Sequence, residues 1–381
     1  MDNIKLIGKG SYGCVYYPGI SCKGKKETRK QYVSKIVERS EDSLNEIKIS
    51  KEIKKIDNYR KNFLVIDKYC EVYNSRIHKD IKENCHLFDG RKDKDNKSLI
   101  LYSEYMDGLT IADILTNIEN NKELIKFYNG FIKHFSHLLV GLNKLEKREI
   151  IHFDLKYSNI LMNNRTGLPI IIDYGISLNM KDILKVGSYD TVKLSPTFYE
   201  RMTYDTIGSF MYPLDVQIIT YLCILKVHHN VDEISKDHLY NVVDQYINNN
   251  DLLKSEYNKN ELRDKYYRFV NKIKISKIEK IILSMLKYWN TIDMYSLCCH
   301  YYIILKELRL NNTILIELKK ILRNYIQLLP NERYNSEEML SNISKLLHKK
   351  NMIGESVKMK KELKHINAEE TTIRILQSVY K

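Results

Sequence analysis

From Ile151 to Leu161 the chain reads Ile-His-Phe-Asp-Leu-Lys-Tyr-Ser-Asn-Ile-Leu, which sets three polar groups in an apolar frame. Lys156 follows Asp154 at the second position and Asn159 at the fifth, and another carboxylate, Asp173, stands in the turn Ile171-Ile172-Asp173-Tyr174-Gly175. Moving a phosphoryl group asks for such a set. One carboxylate accepts the proton of an attacking hydroxyl, hard oxygens hold a magnesium ion, and a cation sits near the charge in transit. Asp154 fits the first task, Asn159 and Asp173 the second, and Lys156 the third.

Such groups work only if other elements hold a phosphate donor against them. The opening Gly8-Lys9-Gly10-Ser11-Tyr12-Gly13-Cys14-Val15 is a G-x-G-x-x-G-x-V loop between strand-like segments. Its glycines let backbone N–H groups approach phosphate oxygens closely. Because strand-like Cys14-Val15-Tyr16-Tyr17 follows the loop, and not a helix, the spacing predicts a β-hairpin rather than a dinucleotide fold. Lys35 stands inside the β-branched run Tyr32-Val33-Ser34-Lys35-Ile36-Val37. A cation there needs an anionic partner, either phosphate or a carboxylate. Glu46 on the next helical segment is the expected carboxylate, with Glu52 as its competitor. Cys14 reads as a packing residue whose loop position could leave its thiol reactive.

The remaining pattern predicts strands over 4–37, a helix over 44–56, apolar strands at 63–66 and 99–102, and a polar insertion from Glu71 to Lys97. From Leu109 onward the periodicity turns helical, with Phe131, Phe135, Leu138, Leu139, Leu142 and Leu145 on one face. The stretch from Val227 to Leu322 is helix-compatible and carries no motif. A last helix spans Ser336 to Leu347, and a basic tail covers 348–381. The expected fold class is α+β and bilobal, with a small β-rich N-lobe (about 1–105) and a larger helical C-lobe (about 106–347).

Composition excludes several classes. At 43% hydrophobic and 29% charged, the 381 residues describe a chain with real cores, not a disordered one. Apolar runs are too short for a membrane span, and Met1-Asp2-Asn3 runs straight into Ile4-Lys5-Leu6-Ile7, so neither anchor nor signal peptide is expected. A net charge of +14 invites a nucleic-acid reading. The basic residues are scattered, however, and runs such as Lys23-Gly24-Lys25-Lys26 and Lys358-Met359-Lys360-Lys361 read as solvated charge, which argues against a direct nucleic-acid partner. Seven cysteines, odd in number and unframed, predict free thiols in a reducing cytosol or nucleus rather than disulfides. Cys85-His86 and Cys298-Cys299-His300 lack a spaced partner of the zinc type.

Between Ile4 and Leu347 these motifs together resemble a eukaryotic-type protein kinase. Gly8, Gly10, Gly13 and Val15 match its glycine-rich loop, Lys35 its ATP-anchoring lysine, and Glu46 the helix partner of that lysine. Ser103-Glu104-Tyr105-Met106 resembles the hinge, which implies adenine contacts at Glu104 and Met106. His152, Asp154, Lys156 and Asn159 match the catalytic loop, and Asp173-Tyr174-Gly175 the metal-binding turn. Asp215 resembles the acid that braces the catalytic loop from a buried helix. Pro330-Asn331-Glu332-Arg333 resembles the late P-x-x-R, whose Arg pairs with a Glu ending the activation segment, here Glu200. The resemblance implies ATP and Mg²⁺ as cofactors and protein substrates, and Lys156 implies Ser/Thr specificity. The compact opening through Cys22 is similar to kinases of large eukaryotic DNA viruses, poxviruses among them, which would place the protein in a host-cell cytoplasm or a virion.

Departures from the pattern sharpen the expectations. The segment between Asp215 and Arg333 is far longer than a minimal kinase needs, so the resemblance implies an inserted helical element within about 227–322. Phe153 replaces the Arg that greets a phosphorylated activation loop, which predicts activity without that phosphorylation. Ser103 at the hinge entrance predicts room behind adenine for bulky purine analogues. Two alternatives stay open. Small-molecule kinases of the aminoglycoside or choline type share H-x-D-x-x-x-x-N but lack the glycine loop and the late P-x-x-R. A pseudokinase would bind nucleotide or a partner without catalysis.

Overall fold

The computed structural model describes residues 4–10, 13–22, 31–88, 96–116, 126–183, 194, 196–203, 209–307 and 313–349. The lysine runs at 23–26 and 358–361 and most of the tail lie outside them. The chain divides into a β-rich unit of residues 1–109 with 159–177 and a helical unit of 110–158 with the chain from 178 onward.

In the first unit, β1 (Lys5–Gly10), β2 (Gly13–Tyr17), β3 (Tyr32–Glu38), β4 (Lys68–Tyr73) and β5 (Lys97–Glu104) form one antiparallel sheet in the order β1-β2-β3-β5-β4. Strand periodicity sends alternate residues of β3 to opposite faces. Ile36 joins Cys14, Tyr16, Ile20, Ile100 and Tyr102 on one face, and Val37 joins Ile47, Ile66, Leu99 and Leu101 on the other. Lys35 therefore shares the face of Val37, which the helix α1 (Glu41–Ile53) covers through Ile47. Ser40 caps α1: its hydroxyl accepts from Ser43 N–H, and the Ser43 hydroxyl accepts from Ser40 N–H. Such a cap stabilises a helix by about 1 kcal/mol. It also explains why α1 starts at Glu41, ahead of the expected Leu44.

Two sequence expectations change here. Residues 63–66 form no strand; Phe63 makes a single parallel bridge to Ile171, and the strand is the polar segment Lys68–Tyr73. It lies at the sheet edge, where outward side chains meet water, so an apolar pattern is not required. The polar insertion accordingly begins after Tyr73 and not at Glu71. The cysteines also pair: Cys14 with Cys85 and Cys22 with Cys70 form disulfides, each with Cα atoms 5.9 Å apart. The expectation of free thiols fails because strand order brings together residues 71 and 48 positions apart, which no local spacing records. Cys14 is thus neither a free nor a reactive thiol. His86 Nδ1 lies 3.7 Å from the Cys14 sulfur, making Cys14, Cys85 and His86 a clustered trio. With its two sulfurs bonded to each other, that trio offers no thiolate to a metal.

The helical unit includes helices Phe131–Lys147, Leu214–His229, Ile292–Glu307, Thr313–Ile326 and Ser336–Lys349. Phe131, Phe135, Leu138, Leu139, Leu142 and Leu145 are all buried. Ile292–Leu305 is buried on every side, as expected for a helix that other helices surround. Helices Lys236–Asn249, Asp251–Glu256, Lys259–Lys272 and Ile278–Leu286 occupy the length between His229 and Ile292. Cys223, Cys298 and Cys299 are free and buried here. Among the described residues no helix is long and apolar enough to cross a membrane.

Candidate active site

In the β-rich unit, Lys35 joins three elements. Its Nζ lies 3.2 Å from Glu46 Oε2 on α1 and 3.1 Å from Asp173 Oδ1. Glu52 instead pairs with Lys55 (2.5 Å), so of the two candidate acids Glu46 is the one facing the lysine. Burial works to lower the lysine's pKa, but the two carboxylates outweigh it and hold Lys35 above its ordinary range. Burial pushes the Glu46 carboxyl up, and Lys35 pulls it down. Lys35 stays protonated, because two carboxylates face it.

A hairpin accounts for the spacing of Asn159 and Asp173. Strands Ile160–Asn163 and Leu168–Ile171 pair with Ile160 opposite Ile171, and Ile172 N–H donates to Asn159 C=O at 3.0 Å. Asn159 and Asp173 therefore flank the open end of one hairpin. Asp173 adopts φ 65°, a left-handed conformation that a non-glycine residue holds only when its surroundings enforce it. Tyr174 is buried, with its hydroxyl donating to Ile171 C=O at 2.8 Å. A carboxylate with a cation beside it, at Asp173, and a carboxamide at Asn159 on the same hairpin end are donor types that suit Mg²⁺ and phosphate, so this donor set fits a magnesium nucleotide.

In the glycine loop, a Cβ on Gly13 would stand 2.4 Å from Ile36 O, so strand approach alone demands glycine there. At Gly10 the nearest protein atom to such a Cβ is 4.0 Å away, and Gly8 has similar space. Their lack of a side chain is not a packing need of this sheet. It leaves backbone open to a ligand. Val15 lies opposite both Gly8 and Lys35. At the hinge-like end of β5, Tyr105 N–H is taken by Gln31 C=O (3.0 Å), the exposed Glu104 side chain faces Arg60 at 3.5 Å, and half-buried Ser103 pairs with Val33. Met106 follows, half-buried.

In the helical unit, Asp154 Oδ2 lies 2.9 Å from Lys156 Nζ, and His152 Nδ1 accepts from Asp154 N–H at 3.2 Å. The loop that carries them rests on helix Ile292–Glu307. Asp293 accepts from His152 N–H (2.6 Å) and Phe153 N–H (2.9 Å), Ser296 donates to Leu155 C=O (3.2 Å), and His300 C=O accepts from Tyr157 (2.7 Å). These residues recur at one helical face. Burial, aided by the Lys156 charge, lowers the His300 pKa to about 3, which keeps its ring neutral behind the loop.

The bracing acid is therefore Asp293, not Asp215. Asp215 instead meets Arg333 (Nη2–Oδ2 2.6 Å), with both side chains fully buried, while Glu200 on helix Pro196–Met202 is exposed. This corrects both assignments: the partner of Arg333 is Asp215. Asp293 was missed because its partners are backbone amides, which leave no residue-type signature. The available signal was one carboxylate near the start of a helix apolar on all sides. Phe153, at φ 66°, is buried against Tyr212, whose ring lies 5.2 Å away and whose hydroxyl donates to Phe153 C=O at 2.9 Å.

Residues 1–204 match the protein kinase domain model, more than half of the chain, and the chain belongs to the protein kinase family. It is similar to mitogen-activated protein kinase kinase 2 of Arabidopsis thaliana, 31% identical over 181 residues, covering 47% of this chain and 41% of that protein. It is also similar to the probable serine/threonine-protein kinase mkcE of Dictyostelium discoideum (32% over 100 residues, 25% of this chain and 13% of that protein). Human death-associated protein kinase 2 is 22% identical over 242 residues, 62% of this chain and 57% of that protein. The chain thus spans less than two thirds of the length of these relatives. The family match ends before Asp215, Asp293 and Arg333, so their pairings are known from geometry alone.

Proposed function

We propose that this chain transfers the γ-phosphoryl group of ATP to serine or threonine hydroxyls of protein substrates. The observation that carries the reading is Lys35 held at once by Glu46 and Asp173, which fixes a cation that is only partly buried and so open to phosphates. In this reading Gly8, Gly10 and Gly13 present backbone N–H groups to the triphosphate, Val15 lies along the adenine, and Glu104 and Met106 bond it through their backbones. Lys35 steadies the phosphates. Asn159 and Asp173 would hold Mg²⁺, which supplies neutralisation of phosphate charge when bound. Asp154 orients the incoming hydroxyl and accepts its proton, and Lys156 offsets negative charge on the transferred group. Phe153, buried and uncharged, supports activity without activation-loop phosphorylation. Helix Ile292–Glu307 braces the catalytic loop and so belongs to the kinase scaffold, which narrows the proposed insertion to the helices between His229 and Ile292. A viral source, and action in host cytoplasm or virion, rests on the Gly10–Cys22 opening and on an abundance of Lys, Asn, Ile and Tyr of the kind an AT-rich genome gives.

The test is transfer of radiolabelled phosphate from ATP to casein, histone and myelin basic protein, followed by phosphoamino-acid analysis. Phosphoserine or phosphothreonine is expected, with loss of transfer in Asp154→Asn. Equal transfer by that variant sinks the mechanism, and phosphotyrosine alone sinks the specificity.

A further inference from the structure

Helix α1 turns a second polar side chain inward, one residue before Glu46. Asn45 is buried, and its Nδ2 donates to Gly175 C=O at 3.0 Å and Ser177 C=O at 2.8 Å. Ser177 is itself fully buried, and its N–H donates to Tyr174 C=O at 3.2 Å, closing the turn that begins at Asp173. Adjacent residues of one helix thus grip two different things. Glu46 holds Lys35, Lys35 holds Asp173, and Asn45 holds the backbone just beyond Asp173. The contacts form a closed ring through α1, β3 and the 173–177 turn.

A closed ring differs from a chain of contacts. If α1 swings away, Lys35 loses one carboxylate and the turn loses two donors in the same event. If the turn leaves, Lys35 loses Asp173 and α1 loses its anchor. Each movement breaks contacts on both sides, so the two elements hold or release together. Asp173 needs such support, because its left-handed backbone persists only when its surroundings enforce it. The clamp is also neutral. A carboxamide donates both bonds without a phosphate, a metal or a particular pH.

We infer that Asn45 is a positioning residue that locks α1 to the 173–177 turn, keeping Lys35, Glu46 and Asp173 assembled without a charged modification of the segment that follows. This inference rests on the reading of that trio as the nucleotide site. It adds to that reading the element that holds the site in working order.

The full chain is tested as Asn45→Ala, Asn45→Asp and Asn45→Gln. Removing two hydrogen bonds from one of two competing arrangements is expected to lower kcat about tenfold. KM for ATP should change less than about twofold, because the lost contacts touch no ligand. The thermal midpoint should stay near wild type. Asn45→Asp should fall below Asn45→Ala, since a carboxylate facing two carbonyls repels them, and Asn45→Gln should recover part of the loss. In the background of Glu46→Gln, which opens the ring already, Asn45→Ala should cost little more. Amide hydrogen exchange reads the lock without catalysis: in Asn45→Ala, residues 41–53 and 173–177 should speed up together, by about tenfold. Exchange unchanged in either segment, or unchanged kcat, overturns the inference. Equal transfer by wild type and Asp154→Asn overturns the functional reading instead and leaves the exchange result to decide on the lock.

Discussion

Removing the carboxylate of Asp215 should destabilise the helical unit far more than removing an average polar side chain. Asp215 stands in the first turn of helix Leu214–His229, and Arg333 follows the turn Pro330–Glu332; both side chains are 0% exposed. One short contact joins them, at 2.6 Å, while Arg333 Nε and Nη1 and Asp215 Oδ1 find no partner among the described residues. The Tyr295 ring, with its centroid 5.8 Å from the guanidinium carbon, gives the cation some further support. Two charges have been taken out of water, and their mutual attraction answers for most of that cost. Deleting one leaves the other buried and uncompensated, at about 3–5 kcal/mol, whereas exchanging both for apolar side chains of similar volume runs from neutral to a gain of about 1–4 kcal/mol. Asp215→Ala should therefore cost about 3–5 kcal/mol, and Asp215→Leu with Arg333→Met far less than either single change. The chain has one tryptophan, Trp289, and it lies in this unit, so urea unfolding followed by its fluorescence reports on the right element. A cost below about 1 kcal/mol for Asp215→Ala, the level of a surface pair, would falsify the buried-pair account. So would a double variant as damaged as the sum of its singles.

Four further outcomes follow from particular contacts. Asp293→Asn keeps one acceptor for the two amides of His152 and Phe153, and losing a charge-assisted bond of about 1.5–3 kcal/mol should cut kcat about ten- to hundredfold; wild-type kcat would show that the brace is dispensable. Burial pushes Glu146 up to about 7 from 4.5 although Ser336 N–H bonds it. A raised folded-state pKa means that its contribution to stability is full below about 4.5 and is lost as pH rises through about 7. Glu146→Gln should therefore gain on wild type in urea midpoint between about pH 5 and pH 8, and parallel profiles would refute this. Peptide mapping after alkylation without reductant should recover Cys14 joined to Cys85, and alkylated thiols at both positions would exclude that bond. Ser103→Phe should weaken inhibition by bulky purine analogues while sparing ATP, and equal inhibition of both proteins would remove the pocket from the argument.

What the sequence disclosed follows the range of the interactions concerned. Asn159 and Asp173 were legible together because one hairpin register joins them, and a register is a local property. Lys35 was legible because a cation within a β-branched run must find an anion, although the choice of Glu46 over Glu52 needed the phase of α1 against the sheet. Asp293 was not legible, since it works across 141 residues on backbone amides. Nor could spacing choose between Asp215 and Glu200 for Arg333, because both lie far upstream and only burial separates them. Phe153 falls between these cases. Its place beside Asp154 marked it as a missing cation, yet its partner Tyr212 lies 59 residues on and was invisible. With Tyr212 in place, an aromatic contact and a hydroxyl bond occupy Phe153 and its carbonyl, so this position offers nothing to a phosphate. If phosphorylation governs this chain, it must act where neither Phe153 nor the neutral amide of Asn45 is the receiver.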